Sequence, residues 1–160
     1  MATVARGRMS AEIDGEFVVF LIGMRVNKPW KLHKWLPIAR AMFPMLRVLA
    51  KEEDLGLLGY TMWVGPRGPM LVQYWRSFEQ LERFARDTSL PHHPAWRAYN
   101  KRVGTDGDVG IWHETYQVGP GRYECLYANM PAFGLAAAGR HVPVAQRGDS
   151  AAQRLHQKPA

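Results

Sequence analysis

Apolar residues recur along this chain in two rhythms, one suited to strands and one to helices. Phe17–Val26 reads FVVFLIGMRV, a near-continuous apolar run rich in β-formers, and predicts a central strand covered on at least one face. Over residues 27–51 the spacing turns helical. Leu32, Trp35, Ala39, Met42, Phe43, Leu46 and Leu49 fall three or four apart on one face, while Pro37 and Pro44 are expected to delay or kink that helix. Segments 57–64 and 70–75 flank the dense turn signal GPRGP and predict a hairpin. Ser77 and Gln80 have capping-box spacing for a helix carrying Phe78, Leu81, Phe84 and Ala85. A short helix is expected over 94–103. Segments 109–118 and 122–130, around Gly119-Pro120-Gly121, predict a last hairpin, and the Ala-rich stretch 133–138 predicts a helical turn.

This order suits an α+β sandwich, an antiparallel sheet with helices on one face. The other face then needs cover. Trp63, Tyr74, Trp75 and Trp112 supply more aromatic surface than a lone sheet exposes, which points to a homodimer built through the open face. Residues 1–14 show no sustained period and read as a flexible leader. Residues 139–160 hold few large apolar groups and read as a disordered basic tail, leaving 15–138 as a single domain.

Composition narrows the function classes. With 160 residues the chain suits one core, and no run of eighteen apolar residues offers a membrane span. No apolar segment follows the N-terminal arginines, so a secretory leader is not expected. The single cysteine, Cys125, excludes multi-cysteine zinc frameworks and fits a reducing cytoplasm. The formal charge of +7 raises nucleic acid as a partner. However, the tail holds Arg140, Arg147, Arg154 and Lys158 against Asp149, and the rest of the excess is scattered. The densest basic stretch, with Arg25, Lys28, Lys31 and Lys34, carries Trp30 and Trp35 as helix anchors rather than stacking platforms. Neither nucleic acid nor membrane is the expected partner.

The candidate chemistry concentrates late in the chain. If Val118 pairs with Arg122, alternation puts His113, Tyr127 and Asn129 on one face with Cys125, and Tyr116 opposite Glu124. A neutral histidine is a competent base near pH 7, and a tyrosine or asparagine can hold an oxyanion. The plainer alternative is a structural His113–Tyr127 hydrogen bond. His92 and His93 lie between Pro91 and Pro94 at a predicted helix start, where a neutral imidazole is favoured and can bind haem iron. Trp96 is the packing anchor beside them. Cys125 has no neighbouring cation to activate it and reads as an inert thiol. The methionines, among them Met24, Met42, Met45 and Met62, read as core. Nucleotide-binding and nucleophile-elbow motifs are absent.

The strings GMRVNKPW, LVQYWRSFEQLERFAR, SLPHHPAW, GIWHETY and YECLYANMP, followed by GLA, resemble a bacterial family of small monooxygenase-like proteins. Related sequences occur in fungal polyketide gene clusters. The resemblance spans residues 15–138 and places the family within the dimeric α+β-barrel superfamily of antibiotic-biosynthesis and haem-degrading monooxygenases. It implies a ferredoxin-like antiparallel sheet, with helices on one face, that pairs with a second copy into a dimeric α+β barrel. It also implies an oxygenase acting on a hydrophobic aromatic or polyketide-like small molecule. His113, Tyr127 and Asn129 would be catalytic, with Trp63, Trp75 and Trp96 against the substrate. Two alternatives stay open: a haem protein with His93 as axial ligand, acting as monooxygenase or dehydratase, and a non-catalytic binding module. No cofactor is fixed, and haem is the one considered.

Overall fold

The apolar run FVVFLIGMRV forms an interior strand of a four-stranded antiparallel sheet. The computed structural model describes residues 2–89, 97, 99, 101 and 105–156. Its elements in chain order are β1 (Ala5–Glu12), β2 (Phe17–Val26), α1 (Leu32–Lys51), β3 (Leu57–Gly65), β4 (Gly68–Trp75), α2 (Phe78–Arg86), β5 (Val109–Val118), β6 (Tyr127–Met130), α3 (Leu135–Ala138), β7 (Arg140–Pro143) and α4 (Ala151–His156). The main sheet has the order β3-β4-β2-β5, and a second sheet has the order β6-β1-β7. The succession β2-α1-β3-β4-α2-β5 on that order is the ferredoxin-like arrangement, so the α+β expectation holds. Among the described residues no helix is long and apolar enough to cross a membrane.

Side chains alternate across β2. Val18, Phe20, Ile22 and Met24 face α1 and α2, while Phe17, Val19 and Leu21 face away. Helix α1 runs unbroken through Pro37 and Pro44, each of which removes one i→i−4 hydrogen bond. It touches the sheet near its two ends. Trp35, Ile38 and Ala39 pack on Met24, Val26 and Val109, and Leu49 packs with Val18, Trp75 and Leu81. Its N-terminal end is held by charge. Buried Asp108, just before β5, pairs with Lys28 at 2.8 Å and with Lys31 and Lys34 at 2.6 Å each, and Asp106 also pairs with Lys34. The basic stretch is therefore an anchor. Ser77 caps α2 by accepting from Gln80 N at 3.2 Å, but the Gln80 side chain donates to Asp54 O, so the box is half-made.

Three expectations about chain organisation are overturned. The expected leader holds β1, a strand pairing with both β6 and β7. Its buried residues are small, Ser10 and Ala11, so no large apolar period marked it. The expected tail is built into the fold through arginines. Arg147 is 2% exposed, sits 3.3 Å from Glu12 and lies over the Tyr123 ring at 5.5 Å. Arg154 is 4% exposed, meets Glu124 at 2.7 Å and donates to the carbonyls of Gly148 and Asp149.

The last hairpin does not form. Strand β5 pairs along its whole length with β2, from Phe17↔Val118 to Val26↔Val109, and β6 pairs with β1. After Gly121 the chain crosses to the outer face. There the Tyr123 ring packs edge-on to Phe17 at 5.2 Å, and its hydroxyl accepts from Ile13 N at 2.9 Å. Burying that ring satisfies more apolar surface than an edge hairpin would. Tyr116 accordingly donates to Glu114 at 2.6 Å, and Glu124 is the partner of Arg154.

The Asp108 carboxyl is held well below its ordinary range by Lys28 first, then Lys31 and Lys34. A depressed carboxylate stabilises the fold above its unfolded value, and that contribution fades as pH falls below about 4. Asp108→Asn should lower the neutral-pH melting temperature and flatten the melting curve's pH dependence below pH 4. An unchanged acid limb would show that the cluster does not anchor α1. Arg154→Ala should cost about 2–3 kcal/mol in denaturant unfolding, because it leaves Glu124 and two carbonyls unpaired. A change within about 0.5 kcal/mol, the range of ordinary surface substitutions, would mean the tail is not anchored.

Candidate functional site

Because α1 is fixed at its ends, its middle stands off the sheet and encloses a cavity of about 750 Å³. The floor comes from the inward residues of the sheet: Phe20, Ile22 and Met24 of β2, Leu71, Gln73 and Trp75 of β4, and Met62 of β3. The roof comes from Met42, Phe43, Met45 and Leu46 of α1 and from Leu81, Phe84 and Ala85 of α2. Five of the eight methionines, Met24, Met42, Met45, Met62 and Met70, border it. The methionines read as core are therefore wall, and their flexible thioethers let such a wall adapt to a guest.

Four polar side chains of the described lining matter. The Trp35 indole donates to Pro29 O at 2.9 Å, and the Tyr99 hydroxyl donates to Val109 O at 3.2 Å, so both are engaged. His113 lies on the cavity side of β5, exposed, with its ring 5.6 Å from Phe20 and tilted 38°. It can meet solvent on one side and a ligand on the other. Gln73 is 5% exposed, and its Oε1 accepts from Trp75 Nε1 at 2.9 Å. No lysine, arginine or carboxylate lines the cavity among the described residues.

The predicted strip of His113, Tyr127 and Asn129 is not assembled. Tyr127 lies on the opposite side of the sheet, packed against the cluster of Phe17, Tyr123 and Leu135. Its hydroxyl accepts from Ala136 N at 3.4 Å, and burial first, then the Cys125 thiol, push its phenol well above the ordinary range. Asn129 has a left-handed backbone (φ 54°), and its Oδ1 accepts from Gly7 N at 2.9 Å, closing the irregular start of the β1–β6 pair. The strip failed because it rested on a β5–β6 pairing that the chain does not make. Trp75, expected against the substrate, is fully buried and borders the cavity. Trp63 faces outward, 52% exposed and edge-on to Phe133 at 6.0 Å. His93 and Trp96 lie outside the described residues. Burial pushes the Cys125 thiol up, which agrees with an inert thiol.

Sequence reasoning missed Gln73 altogether. The available signal was Leu71-Gln73-Trp75, one polar residue in the inward series of a strand.

The family profile described as Monooxygenase af470-like matches residues 17–135, which takes in the sheet, both covering helices and His113. The chain belongs to that family. It is 31% identical over 151 residues to Monooxygenase af470 of Aspergillus fumigatus, covering 81% of this chain. It spans about half, 53%, of that relative's length. Among solved structures it is similar to SnoaB, a cofactor-independent oxygenase from Streptomyces nogalater, at 11% identity and a TM-score of 0.45, over 63% of this chain and 91% of that one. It is also similar to an aldoxime dehydratase at 14% identity and a TM-score of 0.44, over 87% of this chain and 47% of that one. Likenesses this distant carry no information about chemistry.

A neutral apolar dye tests the cavity directly. Nile red should bind saturably with a fluorescence gain, and Met42→Trp, which fills the roof, should weaken binding about tenfold. Equal affinity in the variant would place the dye elsewhere.

Proposed function

We propose that the chain is a monooxygenase-type oxidoreductase whose substrate, a hydrophobic aromatic or polyketide-like small molecule, enters the cavity between the sheet and helices α1 and α2. The observation that carries this reading is the cavity itself, about 750 Å³ of nearly unbroken apolar wall with His113 at its margin. Membership of a monooxygenase family supports it.

His113 acts as the base. Its imidazole takes a proton from an acidic C–H or O–H of the substrate, and the resulting electron-rich anion is the species that reacts with oxygen. The Phe20 ring packs beside the imidazole, and the fully buried Trp75 backs the cavity floor. Apolar walls exclude water, which would otherwise stabilise the anion and intercept it. Tyr127, Asn129 and Trp63 take no part in this reading, since the sheet separates them from the cavity. Cytoplasm is its setting, in keeping with a lone free cysteine. A homodimer belongs to it as well: Trp63, Trp112 and Tyr116 leave an aromatic strip on the outer face that a second copy would cover.

A haem fits poorly among the described residues. The lining offers His113 as a nitrogen ligand but no lysine or arginine for the two carboxylates of the macrocycle, and His93 is not described. No cluster of three or more histidine, cysteine or acidic side chains able to hold a metal ion occurs among the described residues.

Oxygen-electrode assays with a polycyclic hydroquinone should show a rate about 10²-fold lower for His113→Ala, with Nile red affinity retained. Unchanged turnover would remove His113 from the mechanism.

A further inference from the structure

Among the described residues, Gln73 is the buried polar side chain of the cavity floor whose hydrogen-bonding capacity is only half used. The Trp75 indole N–H can only donate, so the Gln73 carbonyl oxygen must face it at 2.9 Å, and this fixes the orientation of the amide. The Gln73 NH2 group is then turned away from Trp75. It has no acceptor among the described residues, although the side chain is 5% exposed and lies in the cavity wall. An amide donor that opens onto a largely apolar space lacks the partner it would have in bulk water, and a ligand acceptor supplies one most simply. Its neighbours in the inward series of β4, Leu71 and Trp75, carry no side-chain acceptor, since the indole can only donate.

We infer that Gln73 is the polar anchor for the substrate, donating to a carbonyl or comparable neutral acceptor of an otherwise apolar molecule. The inference rests on the cavity being the substrate site and adds the class of substrate. Absence of any lining cation among the described residues argues for a ligand that enters uncharged, because an anion would lose its hydration with no counter-charge to replace it. Strand pairing adds a constraint on length. Gln73 is opposite Phe20 and His113 is opposite Ile22, on the two strands that flank β2. Strands lie about 4.8 Å apart, so the two backbones are roughly 10 Å or more from each other. A substrate held at its carbonyl by Gln73 therefore extends across Phe20 toward His113, as a fused-ring or extended molecule would. Cavities of about 300–1,000 Å³ hold guests of that size.

Matched probes test this. Titrated against a bound Nile red reporter, 9-fluorenone should bind the wild type about tenfold more tightly than fluorene, which has the same shape without the oxygen. Fluorene-9-carboxylate should bind at least about tenfold more weakly than the ketone. Gln73→Met should abolish the ketone preference while keeping affinity for fluorene. Should that variant fail to fold, the side-chain NH2 signal of Gln73 in the wild-type protein answers the same question: it should shift on adding fluorenone and stay in place with fluorene. A ketone preference that survives Gln73→Met, or an NH2 signal indifferent to bound fluorenone, overturns the anchor and leaves the cavity reading standing. Failure of both probes to displace Nile red overturns the anchor and the cavity reading together.

Discussion

Helix α1 is held to the sheet near its ends rather than along its length, and the candidate site follows from that. At one end Asp108 gathers three lysines and draws the start of the helix to the start of β5. At the other, Leu46 and Leu49 are buried, with Leu49 against Trp75 and Leu81. Between these fixed points, pressing the helix onto the sheet would require Met42, Phe43 and Met45 to interpenetrate Phe20, Leu71 and Met62. The chain leaves an apolar-walled space instead. Pro37 and Pro44 fall within this span and weaken its backbone hydrogen bonding. An apolar roof over an apolar floor suits a hydrophobic guest.

The other face of the sheet is divided between two uses. Around Phe17, Val19, Tyr74 and Val118 it is covered by β1, α3 and the segment carrying Tyr123 and Cys125. Further along, Trp112 lies across Gly23, where a Cβ would come within 2.7 Å of the indole, and Trp63 stands out beside Phe133. The chain thus supplies part of the cover that a second copy was expected to provide, and an aromatic strip remains. Ferredoxin-like topology and a covered outer face are consequently separate achievements of the sequence, the second resting on the arginines Arg147 and Arg154.

Much of the fold was legible because it depends on strong local signals. The apolar run of β2, the GPRGP turn between β3 and β4, and the Ser77 cap each depend on residues adjacent in sequence, and each appears where expected. The family resemblance was carried by the same elements. What was not legible depends on pairings between distant residues. Gly119-Pro120-Gly121 looks like a hairpin turn, yet β5 finds its partner in β2, about ninety residues earlier. Strand β1 hides behind Ser10 and Ala11, and the C-terminal segment is anchored by guanidinium groups whose burial no hydropathy pattern reveals. His113 was identified from its chemistry and does lie at the cavity, but its companions were assigned through the hairpin and left with it. Gln73 escaped notice because a lone glutamine in a strand has no spacing that marks it. Its meaning depends on Trp75, two residues on, taking one half of the amide.

The central claim is that substrate occupies the space under α1 and not the opposite face of the sheet. Methyl-labelled methionine NMR reports on both regions at once, since Met24, Met42, Met45 and Met62 line the cavity from its side of the sheet while Met9 and Met130 lie in β1 and β6. On titration with a molecule the protein turns over, the four cavity methyls should shift together and saturably, with Met9 and Met130 unmoved. Shifts confined to Met9 and Met130, or none at a concentration that saturates turnover, would contradict the account.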